Sequence, residues 1–417
     1  MKPLKIFALL GLLTAGSPTL TFAQSFDLGI RNTGISFGNS KNWNGIRFNY
    51  RDKNVNEIRG MNVTVWTPKE PYTGNISGLA LGLPVTGAHD LKGISLSVGG
   101  VAVDNQLAGI HFAGLGMGSG SSAKGVKMAG LGLASGGDMS GISIAGLGLG
   151  SGGNLSGVSI AGLGLGSGGN IKGVSLSPLV VGGGGQIQGV TIAGAVAGAG
   201  ESMTGINAGG LVLASGENMT GVNIGGIVLG SGNNIRGINF SPGVVASGNS
   251  ARGINIGGIT VASGGKLTGI IISGVAVASG GNITGFNLSP GFLGSGGNVK
   301  GLNVGGVAVA SGGYAQGLNL SALTVFSPRI TGISTALSVI GVNTTGLVLA
   351  PALHRIEKNG SFRGLSISAY NRIQGPQHGL TIGILNYTRR LRGLQIGLLN
   401  IASENPRGRK VLPVVNW

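Results

Sequence analysis

"GVSIAGLGLGSGGN", residues 157–170, gives six of its fourteen positions to glycine, yet spaces Val158, Ile160, Leu163 and Leu165 at short, regular intervals. Glycine loses more conformational freedom on folding than any other residue, so its density here needs a structural reason that repeats. The stretch does repeat. A glycine followed by an apolar residue stands at 109, 125, 141, 157 and 173, then every sixteen residues to 317 without a slip. Looser copies are led by Gly45, Gly60, Gly78 and Gly93 before this block and by Gly332, Gly346, Gly364, Gly379 and Gly393 after it. Counted together these make about 23 units, and self-similarity at a fixed period is the signature of stacked repeats. Positions are numbered here from the leading glycine, so Gly157 is position 1 and Lys172 is position 16.

Within a unit, apolar residues alternate with small or polar ones, as in Val158-Ser159-Ile160 and Leu163-Gly164-Leu165. That period of two predicts strand. The phase shifts at Ala161-Gly162 and across Gly157, so the chain must bend there, and three short strands per unit follow, centred near Leu155, Ile160 and Leu165. Sixteen residues leave no room for a useful helix. The expected fold is therefore all-β: a parallel β-solenoid, or β-helix, of about 23 coils, mostly of sixteen residues, in which each coil pairs with the coils above and below. Glycine would serve where the coil turns or where two backbones approach closely. The aliphatic columns are expected to fill one narrow core. Position 3, which reads Ser143, Ser159, Ser175, Thr191, Asn207, Asn223, Asn239 and Asn255, is expected to point away from it, and position 8, from Val180 to Val244, to form an outward strip that something covers. Antiparallel hairpins are the rival arrangement. An outer-membrane barrel needs strands of roughly 9 to 11 residues with aromatic girdles, and only 5% of this chain is aromatic.

Residues 1–23 have the layout of a secretory signal peptide: Lys2 and Lys5, the apolar run "IFALLGLL", then small residues ending in "TFA" before Gln24. Cleavage is expected after Ala23. No later run reaches the roughly 20 apolar residues of a membrane-spanning helix. Cysteine is absent, which excludes disulfides and thiolate chemistry. Glycine is abundant without a three-residue period, which excludes collagen. The net charge of +17 is uneven: residues 109–328 carry seven basic and three acidic residues, and residues 329–417 eleven and two. Four segments follow: the leader 1–23, irregular N-terminal coils with a cap over 24–108, the regular solenoid over 109–328, and irregular basic C-terminal coils with a cap over 329–417.

The phrase "GLTIGILNYTRRLRGLQIGLLNIASENP", Gly379 to Pro406, resembles the repeats of a bacterial surface-repeat family of spirochaete type, whose units run G-aliphatic-x-I-G-aliphatic-aliphatic-N-aliphatic. The likeness covers about the last forty residues, and the sixteen-residue core shares only its pattern. The resemblance implies an exported protein of a Gram-negative envelope, at the cell surface, associated with the outer membrane or extracellular, with no assigned enzyme activity.

Because stacking turns each position into a stripe, candidate sites are columns. Lys124, Lys172, Arg236, Arg252 and Lys300 share position 16; with Arg389, Arg390 and Arg392 they are candidate contacts for an anionic surface such as lipopolysaccharide or acidic glycan. Self-association is the other partner expected. Nucleic acid is not, since no aromatic stacking platform accompanies the charge. Glu201 and Glu217 lie one coil apart, about 5 Å, a spacing that could suit a retaining glycosidase pair; they fall in a Gly/Asn turn column, where solvation is the simpler role. His89, His111, His354 and His378 lack metal-ligand spacing. Matches to G-x-G-x-x-G arise from the repeat itself, without the strand-turn-helix context that binds nucleotides. No catalytic residue, metal site or cofactor is therefore expected, and the reading is a non-enzymatic envelope protein with a structural or adhesive role. A polysaccharide-binding or polysaccharide-processing solenoid and a membrane-inserted outer-membrane β protein are the alternatives.

Overall fold

A chain whose side chains repeat every sixteen residues can satisfy all its strand hydrogen bonds by stacking each unit on the last, and it does so. The computed structural model describes residues 25–417, and the leader expected at 1–23 lies outside the described residues. The fold is a parallel β-solenoid of about 22 turns, about 16 residues apart. Register follows the repeat: Leu155, Val158 and Ile160 pair with Ile171, Val174 and Leu176, and Gly164 to Ser167 pair with Val180 to Gly183.

One coil contains two hydrogen-bonded strands, Leu155–Ala161 and Gly164–Ser167. The segments expected around Leu155 and Ile160 thus run on as one strand, folded at Gly157, where φ is +103°. A Cβ there would stand 2.2 Å from the carbonyl oxygen of Gly141 in the coil below, so both the backbone angle and the space demand glycine. The remaining bends lie at Gly162–Leu163 and Gly168–Gly169. Gly168 has an ordinary φ but no room: its Cβ would lie 2.4 Å from the Gly152 oxygen. Three sides result, carrying positions 2–5, 8–11 and 14–16.

The described residues divide into two compact units, one ending at Gly137 and one running from Asp138 to Trp417. In the first, Ser25–Ile30 pairs antiparallel with Thr33–Gly38 through a two-residue turn at Arg31 and Asn32, both at positive φ. Parallel coils follow from Asn42–Asn49 onward. In the second, parallel coils run to the strand Tyr370–Ala402, and Val411–Asn416 lies antiparallel on its end. Of the three tryptophans, Trp43 is buried and donates to the Gly34 carbonyl at 3.1 Å, Trp66 stacks on Tyr50, and Trp417 lies exposed beneath Arg409.

The interior overturns the expected core. Position 3 points inward: Ser159, Asn207, Asn223, Asn239 and Asn255 are all buried, while Val158 and Ile160 on either side of Ser159 face out. Only two aliphatic columns enter the lumen, position 9 (Leu165, Leu213, Leu229) and position 15 (Leu155, Ile171, Ile187). Position 5 supplies only Ala, Gly or Ser between Ala145 and Ser321. The physical reason is that an asparagine recurring in register can bond to itself. Asn207 Nδ2 donates to Asn223 Oδ1 at 3.0 Å, Asn223 to Asn239 at 2.8 Å, and Asn239 to Asn255 at 2.9 Å. A buried amide paired on both sides escapes most of the penalty of leaving water, and a narrow lumen favours it over bulky aliphatics. The serines at position 11 serve the turns: Ser167 Oγ donates to the Gly153 carbonyl at 2.7 Å.

Candidate functional site: an uncharged outer face

With asparagine and serine inside, the larger aliphatics go outside. In residues 141–326 the outward positions are 2, 4, 7, 8 and 10, and they hold Ile, Val, Leu, Phe, Ala and Gly, with Thr260 and Thr324 the only polar members. At the position-7 bend Leu163 is 48% exposed, Ile227 56% and Ile259 53%. Position 8 faces out as expected, with Val180 at 44%. No charged side chain falls on these columns. All seven in this stretch, Lys172, Glu201, Glu217, Arg236, Arg252, Lys266 and Lys300, stand at positions 13, 14 and 16. The coil is therefore amphipathic in cross-section, with two apolar sides meeting at position 7 and a third that is polar. Twelve coils at ~4.8 Å, each presenting nine residues at ~3.3 Å, give an apolar sheet of roughly 1,700 Å². The largest exposed apolar patch on an ordinary monomer is about 300–600 Å².

In residues 25–137 the outward positions 2 and 4 are likewise apolar or aromatic. Ile46, Phe48, Ile94 and Phe112 are exposed at positions 2 and 4, and Phe37 stacks on Phe48 with ring centres 5.6 Å apart. An apolar groove of ≈ 610 Å³ runs over Gly82, Gly114 and Gly130, walled by Leu96, Phe112 and Met128. A smaller one in the C-terminal coils, ≈ 390 Å³, is lined by Leu349, Pro351, Ile367, Ile382 and Ile384.

Of the candidate cations, Lys124, Lys172, Arg236 and Arg252 are exposed and Lys300 half-buried, its Nζ 4.9 Å from the centre of the Tyr314 ring. Arg392 continues the same column through Arg363 and His378. Arg389 and Arg390 do not: both are held by Glu404, Arg390 at 3.1 Å, beside a polar cleft. From Ser140 to Arg392 position 16 contains Ser, Thr, Gln, His, Lys and Arg and no acid. It adjoins the apolar face across the position-1 bend. Glu201 and Glu217 are exposed on a different bend, where the Glu217 amide donates to the Glu201 carbonyl at 2.9 Å. Among the described residues no group of three or more His, Asp or Glu is placed to hold a metal ion, and no helix is long and apolar enough to cross a membrane.

Titratable groups inside the lumen are features that the repeat gives no sign of. Arg47, at position 3, is fully buried against Asp52 and donates to Asn62 at 2.6 Å. Burial works to raise the Asp52 carboxyl, but the Arg47 guanidinium and the Thr64 hydroxyl hold it below its usual value. His111 and His354 are driven down to about 4, chiefly by burial, and burial lowers Lys127 to about 8. His354 Nδ1 lies 2.8 Å from Ser366 Oγ, which donates to Asn371 at 2.6 Å. Beyond it Asn371, Asn386 and Asn400 form a second ladder at 2.8 and 2.7 Å. Asn386 and Asn400 are the asparagines of the "GILN" and "GLLN" phrases, so the motif's recurrent polar residue is an interior rung. No protein-family model, curated protein or solved structure matches this chain.

Proposed function

We propose that this chain is an exported, non-enzymatic repeat protein of the bacterial envelope, with a structural or adhesive role exercised by its long faces. The observation that carries the reading is the segregation of every charge in residues 141–326 to one side of the coil. Catalysis at a solenoid surface needs carboxylates, imidazoles or guanidinium groups gathered at one level; here the stacked side chains are apolar on two sides and sparse on the third. The leader-like residues 1–23 and the likeness of Gly379 to Pro406 to surface repeats support export and an envelope address. Expression of the full chain in a Gram-negative host, followed by fractionation and N-terminal sequencing, tests this. The expected product begins at Gln24 and is recovered with the envelope, and a variant lacking residues 2–23 stays in the cytoplasm. A full-length chain with its N-terminus intact in the cytosol would overturn the reading.

A further inference from the structure

The unpartnered apolar face of residues 141–326 is too large, and too sharply bounded by charge, to be left to water. We propose that it seats in the acyl region of a lipid surface, with the position-16 cations resting on anionic headgroups; this rests on the envelope reading above. Three observations select lipid over a second copy of the chain. The face occupies two sides that meet at the position-7 bend, where Leu163, Leu211 and Ile227 are about half exposed. A flat partner would cover one side, whereas fluid hydrocarbon conforms to both. The estimated area of roughly 1,700 Å² is about twice the ~800 Å² that each partner buries in a standard interface. And the shoulder on the position-1 edge of the face is neutral or basic throughout, with Lys172, Arg236, Arg252 and Lys300 and no carboxylate, which complements the phosphates of an anionic membrane. The two carboxylates of this stretch, Glu201 and Glu217, stand at position 13, on the bend that bounds the face along its other edge, so it is the position-16 edge that meets the anionic headgroups.

The arrangement is the β-solenoid counterpart of an interfacial amphipathic helix, a polar side in water and an apolar body sunk to the depth of the upper acyl chain. Thr260 and Thr324 are the only polar residues that would enter, each with a single hydroxyl able to bond to a nearby backbone carbonyl.

Flotation of the full chain with vesicles of phosphatidylethanolamine and phosphatidylglycerol, compared with phosphatidylcholine alone, tests the proposal. The wild type is expected to float with both and more strongly with the anionic vesicles. The triple variant Leu163→Glu, Leu211→Glu, Ile259→Glu alters only exposed positions; it should keep its β circular dichroism and lose at least tenfold in vesicle binding. Replacing Lys172, Arg236, Arg252 and Lys300 by Gln should remove the preference for anionic vesicles and leave binding to phosphatidylcholine. As a second readout, Leu211→Trp should be quenched by brominated acyl chains. Failure of the wild type to float, equal flotation of the Glu variant, or a discrete soluble dimer that vesicles do not dissociate would overturn the proposal, the last by assigning the face to a second copy. A chain that floats yet is recovered from the cytosol refutes the envelope reading alone. A chain exported to the envelope that does not float refutes this inference alone.

Discussion

At the scale of single residues, what distinguishes this solenoid is polar side chains placed where aliphatics are usually found. The asparagine ladder is interrupted once, at Ile271, and the interruption leaves Asn255 Nδ2 and Asn287 Oδ1 without partners while Asn287 continues to Asn303 at 2.9 Å. Ile271→Asn would supply the missing rung, offsetting lost apolar burial by two hydrogen bonds at roughly 1 kcal/mol each and by relief of two orphaned groups. We expect its stability to lie within about 1 kcal/mol of wild type, whereas Leu229→Asn, in the buried aliphatic column with no ladder, should cost more than about 3 kcal/mol. Chemical denaturation of the two variants checks this; equal losses would mean that the ladder contributes nothing. His354 gives a pH dependence of definite sign. Its imidazole is held neutral in the fold, down to about 4 against 6.5 when free. Between those values the unfolded chain binds a proton that the folded chain refuses, so stability falls as pH drops through this window, by about 3 kcal/mol from this group. His354→Asn, which extends the Asn371 ladder, should flatten the fall in denaturant midpoint between pH 7 and pH 4.5; an unchanged slope would count against a neutral buried imidazole.

At the scale of the strand, alternation and register were legible and sidedness was not. The unbroken sixteen-residue step from Gly109 to Gly317 carries straight through to pairings such as Gly157 with Gly173 and Gly221 with Gly237. Periodicity of two says that Val158 and Ile160 share a face and Ser159 takes the other; it does not say which face is in. Hydrophobicity alone points to Val158 and Ile160, and that choice is wrong, because a narrow lumen selects for small size and for groups that pair with their own copies one coil away. Two signals in the sequence point to the correct side. Position 5 never exceeds serine in size, as a crowded interior requires, and positions 2 and 4 never carry charge between residues 141 and 326 although they face outward. The shared column of Lys124, Lys172, Arg236, Arg252 and Lys300 was legible, since spacing alone fixes it; that Arg392 continues it through Arg363 and His378 came only with the structure. The pairing of Arg389 and Arg390 with Glu404 was not legible, because Glu404, fifteen and fourteen residues on, comes to meet them only through the irregular last coils.

At the scale of the whole molecule, the units of residues 141–326 keep one rule: amides and hydroxyls line the lumen beside two aliphatic columns, the other large aliphatics face outward, and charge is confined to the third side. The mean hydropathy of +0.37 and the 9% of charged residues therefore describe an outer surface as much as a core. The rule depends on which residues of a strand point into the lumen, and the absence of cysteine from the chain allows a clean test. Val158→Cys, Ser159→Cys, Leu163→Cys and Leu165→Cys, made one at a time in the full-length protein, are to be timed against a small water-soluble thiol reagent under native conditions and again in denaturant. The account predicts that Cys at 158 and 163 reacts at a rate near that of the unfolded chain while Cys at 159 and 165 is protected by at least a hundredfold; rapid reaction at 159 with protection at 158 would put the aliphatics back inside and contradict it.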